Sequence, residues 1–415
     1  MNTLETSSPG WLGGFLRRNR NEIGLVIATI AVLAVTLFFN KSYIENPGDN
    51  TQKILRTTAL LGIFAFGAAT VIISGGIDLS AGSVIAFSGM LFAGIIVLLA
   101  PKSERGLPVT TDIETWIVLV AIGGTLISAL LIGTFHTWLI TIVGLPPFVA
   151  TLASLVGLRS LAKVLVQNIT ATSHGQAKST ITLDNEWLLS VGQREGWWSP
   201  VLIWAILAVV LWLLLGRTVV GRHLYAMGGN EQAARLSGIR TDHLKWLAYC
   251  ISAVTAAIAG ILYTCYIGTA DPSRDGMGYE LNAIAASVVG GCSLAGGIGS
   301  ISGVMLGALF LRVVIDSVEK SFKTRPDLFE GQVVGALVVL AVAFNELRKT
   351  GGFRRQFFPG LIGWISVAIL AILAGLITGA TTTENKLNSA LVVGAAVAVA
   401  LGIKAAMERV AAKKR

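Results

Sequence analysis

The residues of this chain that could do chemistry sit where its apolar runs are interrupted. The first interruption is Ser74-Gly75-Gly76-Ile77-Asp78-Leu79-Ser80-Ala81-Gly82-Ser83. Paired glycines open a helix without a side-chain clash, and Asp78 and Ser80 can satisfy exposed backbone donors or cap the next helix. Two readings stand side by side. One is a transport-path element, because an acid at membrane depth must face protein or water. The other, favoured by the charge balance, is a tight structural reversal at the cytoplasmic surface. The second interruption is Gly144-Leu145-Pro146-Pro147-Phe148-Val149-Ala150-Thr151-Leu152, whose proline pair marks either an ordinary helix start or a broken helix lining a cavity. The third runs from Gly290 to Gly307. There Gly299, Gly303 and Gly307 recur every four residues on one helical face and make a groove for another helix, within or between chains.

Nothing in the sequence assembles a catalytic triad, a metal cluster or a nucleotide motif. The histidines are scattered, with His136 and His223 at loop edges, and the paired glycines lack the Lys-Ser/Thr ending of a phosphate loop. Cys250, Cys265 and Cys292 lie in apolar surroundings and read as packed core. Arg312 and Asp316, four positions apart, could pair on one helix face. Residues that could line a polar route are Ser83, Ser88, Pro146, Pro147, Thr151, Ser154 and Ser287, although a helix hydroxyl often bonds the carbonyl four residues back. No cofactor or metal is expected on this chain.

The elements that position these residues are membrane spans. Hydrophobic residues make up 53% of the chain and charged ones only 13%, about half the charge of an ordinary soluble domain. Each span needs about 20 apolar residues to cross about 30 Å of hydrocarbon. Apolar runs at about 22–39, 57–75, 82–100, 115–134, 142–165, 201–216, 246–268, 281–291, 299–317, 331–345, 361–379 and 388–405 suggest about ten core spans plus about two more at the C-terminal side. The fold class is all-α and polytopic. The first run follows Arg17, Arg18 and Arg20 and reads as an anchor, since no small-residue cleavage site follows it.

Charge sets the orientation, because Lys and Arg favour cytoplasmic loops. Alternation from a cytoplasmic amino terminus puts three basic clusters on one side. They are Arg217, Arg222, Arg235, Arg240 and Lys245; Arg348, Lys349, Arg354 and Arg355; and Arg409, Lys413, Lys414 and Arg415. The expected organisation is a cytoplasmic segment 1–21 and a permease-like domain 22–346 holding a periplasmic insert 166–200 and a cytoplasmic loop 217–245. A linker 347–360, a further hairpin 361–405 and a basic cytoplasmic tail 406–415 follow. The net charge of +9 is accounted for by these loops and anionic lipid, with no exposed basic domain left for nucleic acid. The insert reads as a folded cap or as a docking surface for an external partner.

The stretch from Gly221 to Ile239 reads as a turn, a short helix and another turn. Asn230 can cap the helix, Glu231 suits its first turn, Ala233 and Ala234 support it, and Gly238 can stop it. Such a helix offers Arg235 and Leu236 to a protein surface, or packs on its own chain.

Taken together, Ser74–Ser83, Gly144–Leu152, Gly221–Ile239, Glu280-Leu281-Asn282-Ala283-Ile284-Ala285-Ala286 and Ser293–Gly299 closely resemble the membrane permease subunits of bacterial ribose, xylose and galactose ATP-binding-cassette importers. The resemblance covers about residues 20–350. It implies a sugar permease of the bacterial inner membrane with both termini cytoplasmic, working by alternating access. It also implies three partners: a cytoplasmic ATPase that binds ATP and Mg, a periplasmic sugar-binding protein and a second permease copy. The contact with the ATPase would be Gly228, Gly229, Asn230, Glu231, Ala233, Ala234, Arg235, Ser237 and Gly238. Three features depart from the family: Asn345 where an acid is usual, the two apolar runs after residue 360, and the length of the 166–200 insert. The reading from a different class is an ion-coupled secondary transporter, which would place a coupling acid deep in its bundle, whereas the acids here cluster at run edges.

Overall fold

A computed structural model of the chain describes residues 20–193, 196–322, 331–332, 334–337, 339–340, 343, 358, 360–381 and 385–413. The span expected at 331–345 is described only in part, and the 347–360 linker lies mostly outside the described residues. Arg17, Arg18, Asn345, Lys414 and Arg415 lie outside them altogether. Two compact units divide the chain, Met1–Val342 and Ala343–Arg415.

In the first unit the long helices are α1 (Arg20–Phe39), α3 (Pro47–Ile73), α4 (Ala81–Leu99), α5 (Thr115–Thr141) and α6 (Pro147–His174), with a one-turn α2 (Ser42–Glu45) between the first two. After β1 (Ile181–Thr182) and α7 (Glu186–Gly192) come α8 (Trp198–Arg217), α9 (Val219–Gly229), α10 (Glu231–Leu236) and α11 (Thr241–Ile267). β2 (Thr269–Ala270), α12 (Tyr279–Val289) and α13 (Ile301–Phe322) complete it. The second unit holds α14 (Gly360–Thr381) and α15 (Lys386–Lys413). Ten of these helices, eight in the first unit and two in the second, are long and apolar enough to cross a membrane.

Burial sorts the helices into layers. From Thr58 to Ile73 every residue of α3 is buried, so this helix is enclosed on all sides by α8, α11, α12 and α13. α4 and α11 are also mostly buried, whereas α5, α6 and α8 keep wide outward faces, among them Leu131, Val156 and Val209. Pro146 and Pro147 do start a helix: Pro147 is the first residue of α6, where its missing N–H costs nothing. That helix closes on Gly175 in the left-handed region (φ 70°).

Residues 166–174 of the expected insert continue α6 and 198–200 begin α8, and the stretch between them carries β1 and α7. β1 pairs antiparallel with β2, Ile181 opposite Ala270. Asn185 caps α7 by accepting from Leu188 N at 3.0 Å, while its Nδ2 donates to Thr111 O, also at 3.0 Å. These bonds tie the insert to the end of α11 and to the α4–α5 loop. This end of the bundle is called the insert end below, and the end carrying residues 217–245 the linker end.

The run at 281–291 is α12, whose 11 residues cover about 16 Å and cannot cross a bilayer alone. The chain still changes ends there. From β2 at the insert end, residues 271–278 tuck into the bundle until Gly276 lies against Gly82 and Ile85 of α4. α12 then covers the remaining distance to the linker end, where Tyr225 Oη donates to Gly299 O at 2.9 Å.

Within the second unit, α14 and α15 form an antiparallel pair in close contact at Gly375, where Ala390 and Gly394 approach its backbone. Phe358 N donates to Glu408 Oε2 at 3.1 Å, and the Arg409 guanidinium sits 5.7 Å from the Trp364 ring.

Candidate functional site

Two broken elements meet in the middle of the first unit. Residues 74–80 leave the linker end at Ile73 and rise into the bundle, so that Asp78 reaches Ser252, eleven positions after Thr241, the first residue of α11 (252 − 241). That is about 16 Å along the helix axis. Asp78 is buried and accepts three bonds: Ser80 N at 2.8 Å and Ser80 Oγ at 2.6 Å on Oδ1, and Ser252 Oγ at 2.7 Å on Oδ2. Three neutral donors make a carboxylate tolerable at this depth. The second element, 271–278, descends from the insert end and stops at Gly82. Both α4 and α12 therefore begin inside the bundle, a geometry that transporters use around polar sites.

α6 runs across both elements. Thr151 Oγ1 accepts from Leu79 N at 3.2 Å, and Ser83 Oγ lies 3.3 Å from Ser154 O. Two turns further on, Arg159 donates from Nη1 to Pro272 O at 3.0 Å and to Asp275 O at 2.8 Å. Asp275 and Glu280 are the carboxylates whose charge acts on Arg159.

The structure brings Ser83, Thr151 and Ser154 together at this junction. Ser83, Ser88, Thr151, Ser154 and Ser287 are all buried. Thr151 also bonds Pro147 O (2.9 Å), Ser83 bonds Ser80 O (2.7 Å) and Ser287 bonds Ala283 O (2.8 Å), each within its own local stretch. Gly303 and Gly307 lie against Ala286 and Gly290 at the end of α12, and Gly299 against Cys292 and Ile73, so the glycine groove is filled by the same chain. Cys250, Cys265 and Cys292 are buried and free. Asp316 pairs with Lys53 at 3.1 Å and Lys320 at 2.9 Å and accepts from Tyr43 Oη at 2.6 Å, joining α2, α3 and α13.

His136 differs from the expectation of a solvated edge. It is fully buried in α5, because that helix runs on to Thr141, and its ring stands edge-on to Tyr249 at 6.2 Å. Neither ring nitrogen has a hydrogen-bond partner among the described residues.

At the linker end, the short helix is α10. Asn230 Oδ1 caps it by accepting from Ala233 N at 3.0 Å, and Gly238 ends it in the left-handed region at φ 81°. Arg235 is engaged by its own chain, with Asp242 at 2.9 Å, Glu231 at 3.3 Å and Thr241 Oγ1 at 2.8 Å. Lys245 reaches Glu231 at 2.7 Å. Burial alone would raise the Glu231 carboxyl, but the hydrogen bond and charge of Lys245, with the charge of Arg235, hold it below the ordinary range. Leu236 points out, 90% exposed, while Ala234 is buried.

Behind α10, three backbone segments touch. A Cβ on Gly228 would meet Ile73 O and Gly297 N, Gly228 Cα lies in contact with Gly75 (φ 86°), and Gly297 N donates to Ile73 O at 2.9 Å. The end of α9, just ahead of the exposed helix, is thus packed backbone to backbone against the linker-end start of the 74–80 element and the segment that follows α12. The glycines and Asp78 were legible as interruptions. Arg159 was not, because a lone arginine in an apolar run carries no pattern that names its partners 113 and 116 positions away.

Among the described residues, no group of His, Cys, Asp and Glu is arranged to hold a metal ion. The family described as branched-chain amino acid transport system / permease component matches residues 50–342. The chain is similar to the ribose import permease protein RbsC of Haemophilus influenzae, 33% identical over 303 residues that cover 72% of this chain and 84% of that protein. It is 34% identical to RbsC of Bacillus subtilis over 336 residues, 79% of this chain and 94% of the relative. The xylose transport system permease protein XylH of Escherichia coli K12 is 29% identical over 396 residues, 81% of this chain and 95% of the relative. No solved structure matches. With a match across residues 50–342, a polytopic helical fold and these relatives, the chain belongs to the branched-chain amino acid transport system / permease component family.

Proposed function

We propose that this chain is the permease subunit of an ATP-driven monosaccharide importer of the bacterial inner membrane, moving a sugar such as ribose or xylose inward by alternating access. The observation that carries the reading is α10: a capped, exposed helix preceded by Gly228, whose backbone packs on Ile73 at the start of the 74–80 element and on Gly297 after α12. A cytoplasmic ATPase, which would bind ATP and Mg, docks on Gln232, Ala233, Leu236 and Ser237, and the linker end faces the cytoplasm with both termini. The folded insert faces the periplasm and receives a sugar-binding protein. Two copies of the permease assemble. The relatives' printed names, ribose import and xylose transport, support the choice of sugars.

Docking is tested by placing a cysteine at Leu236 and cross-linking to the candidate ATPase subunit. A cross-link that forms at Leu236 and not at the outward-facing Val209 of α8 supports the reading. Its absence in an assembled complex counts against it.

One observation favours the second reading, an ion-coupled secondary transporter: Asp78, Asp275 and Glu280 lie deep in the bundle rather than at its edges. The three donors on Asp78 and the Arg159 charge beside the other two give these acids structural partners. Uptake driven by an ion gradient without ATP would decide for this alternative.

A further inference from the structure

Arg159 is twelve positions into α6 from Pro147 (159 − 147), about 18 Å from the linker end of that helix. An arginine at that depth is costly against lipid and is found facing protein or water. The surface around it is nevertheless open in the single chain: Val156 is 66% exposed, Met277 65% and Leu281 55%. The carboxylates beside it are not fully used. Asp275, only 4% exposed, accepts from Asp271 N on Oδ2 at 2.7 Å, and its Oδ1 has no hydrogen-bond partner among the described residues. Glu280 Oε2, lying against Gly82, likewise has none. Arg159 spends only Nη1 on the loop carbonyls.

We propose that Arg159, Asp275 and Glu280 form a hydroxyl-binding station for a neutral monosaccharide on the translocation route, with the face of α6 around Val156 and the 276–281 segment lining water rather than lipid. The chemistry fits a polyol. Carboxyl oxygens accept from sugar hydroxyls, and the guanidinium N–H groups not spent on Pro272 O and Asp275 O donate to hydroxyl or ring oxygens. The station lies where α4 and α12 begin, so a movement of either broken element changes its width. Ser83, Thr151 and Ser287 already bond to their own chain, whereas Asp275 Oδ1 and Glu280 Oε2 have no hydrogen-bond partner among the described residues. The inference rests on the importer reading for the identity of the solute, while the aqueous character of the face does not.

Two measurements on the full chain test it. In vesicles carrying the chain with its ATPase and binding protein, Asp275→Asn and Glu280→Gln should each lower labelled ribose or xylose moved per ATP hydrolysed by about tenfold. The ATP hydrolysis stimulated by loaded binding protein should stay within about twofold of the unmutated complex. A joint fall of uptake and hydrolysis, or no change in uptake, overturns the station. Separately, Val156→Cys and Met277→Cys should react with a membrane-impermeant maleimide, against a background in which Cys250, Cys265 and Cys292 are buried. Unlabelled cysteines overturn the proposal whatever the complex transports. Failure of the importer reading shows up elsewhere, in an unmutated complex that moves neither sugar with ATP.

Discussion

Ser252 Oγ donates a 2.7 Å hydrogen bond to Asp78 Oδ2 across 174 positions of sequence. This bond fixes the depth of the 74–80 segment. It turns what reads as a reversal between two helices into an element that climbs beside α11 before α4 begins. The acid is held by Ser252 and by both donors of Ser80, so replacing it strands several polar groups at once.

Asp78→Ala should therefore destabilise the protein by at least about 3 kcal/mol, since buried donors left without acceptors cost about 1–3 kcal/mol each. Asp78→Asn, which keeps an acceptor oxygen, should cost less. Thermal unfolding of the purified chain in detergent, followed by loss of its monodisperse peak, ranks the two variants.

Gly228→Val places a side chain where Ile73 O and Gly297 N already lie. Overpacking of this kind costs about 1–3 kcal/mol, and here it pries apart the backbone junction between α9, the start of the 74–80 element and the segment after α12. The expected result is a lower unfolding temperature together with ATP hydrolysis that no longer drives uptake.

Leu236→Ser should behave in the opposite way. The side chain is 90% exposed, so stability should change by no more than about 0.5 kcal/mol. Co-purification of the ATPase should fall by about tenfold if Leu236 anchors the contact. An unchanged yield of complex would remove Leu236 from the interface.

The Glu231 carboxyl is held below the ordinary range by Lys245 and Arg235, despite partial burial. A depressed folded value means that its ion pairs contribute fully above the unfolded value of about 4.3 and are lost as pH falls through the folded one. Binding of the ATPase should thus be flat from neutral pH down to about 5 and weaken only below the ordinary glutamate range. Glu231→Gln should abolish that acid limb. The binding isotherm measured across pH in both proteins checks it.

The helices were legible because a run of about 20 apolar residues has few fates other than spanning a membrane. Asn230 and Gly238 also announced the ends of α10 correctly, since capping chemistry is local. What the sequence hid was depth and distance. Nothing local says that Gly276 reaches Gly82, that α12 starts inside the bundle, or that two-residue strands at Ile181 and Thr269 pair. His136 was misplaced for a related reason, because α5 outlasts its most apolar stretch and carries the ring into the core. The partners of Arg159 are backbone carbonyls on a loop more than a hundred positions away, and backbone acceptors leave no mark on residue types.

Labelled ribose and xylose uptake into vesicles containing this chain, its candidate ATPase and its candidate sugar-binding protein tests the importer reading most directly. Uptake should need ATP and all three components and be lost when residues 229–237 are disrupted in an assembled complex. Uptake by this chain alone, driven by an ion gradient and indifferent to ATP, would contradict it.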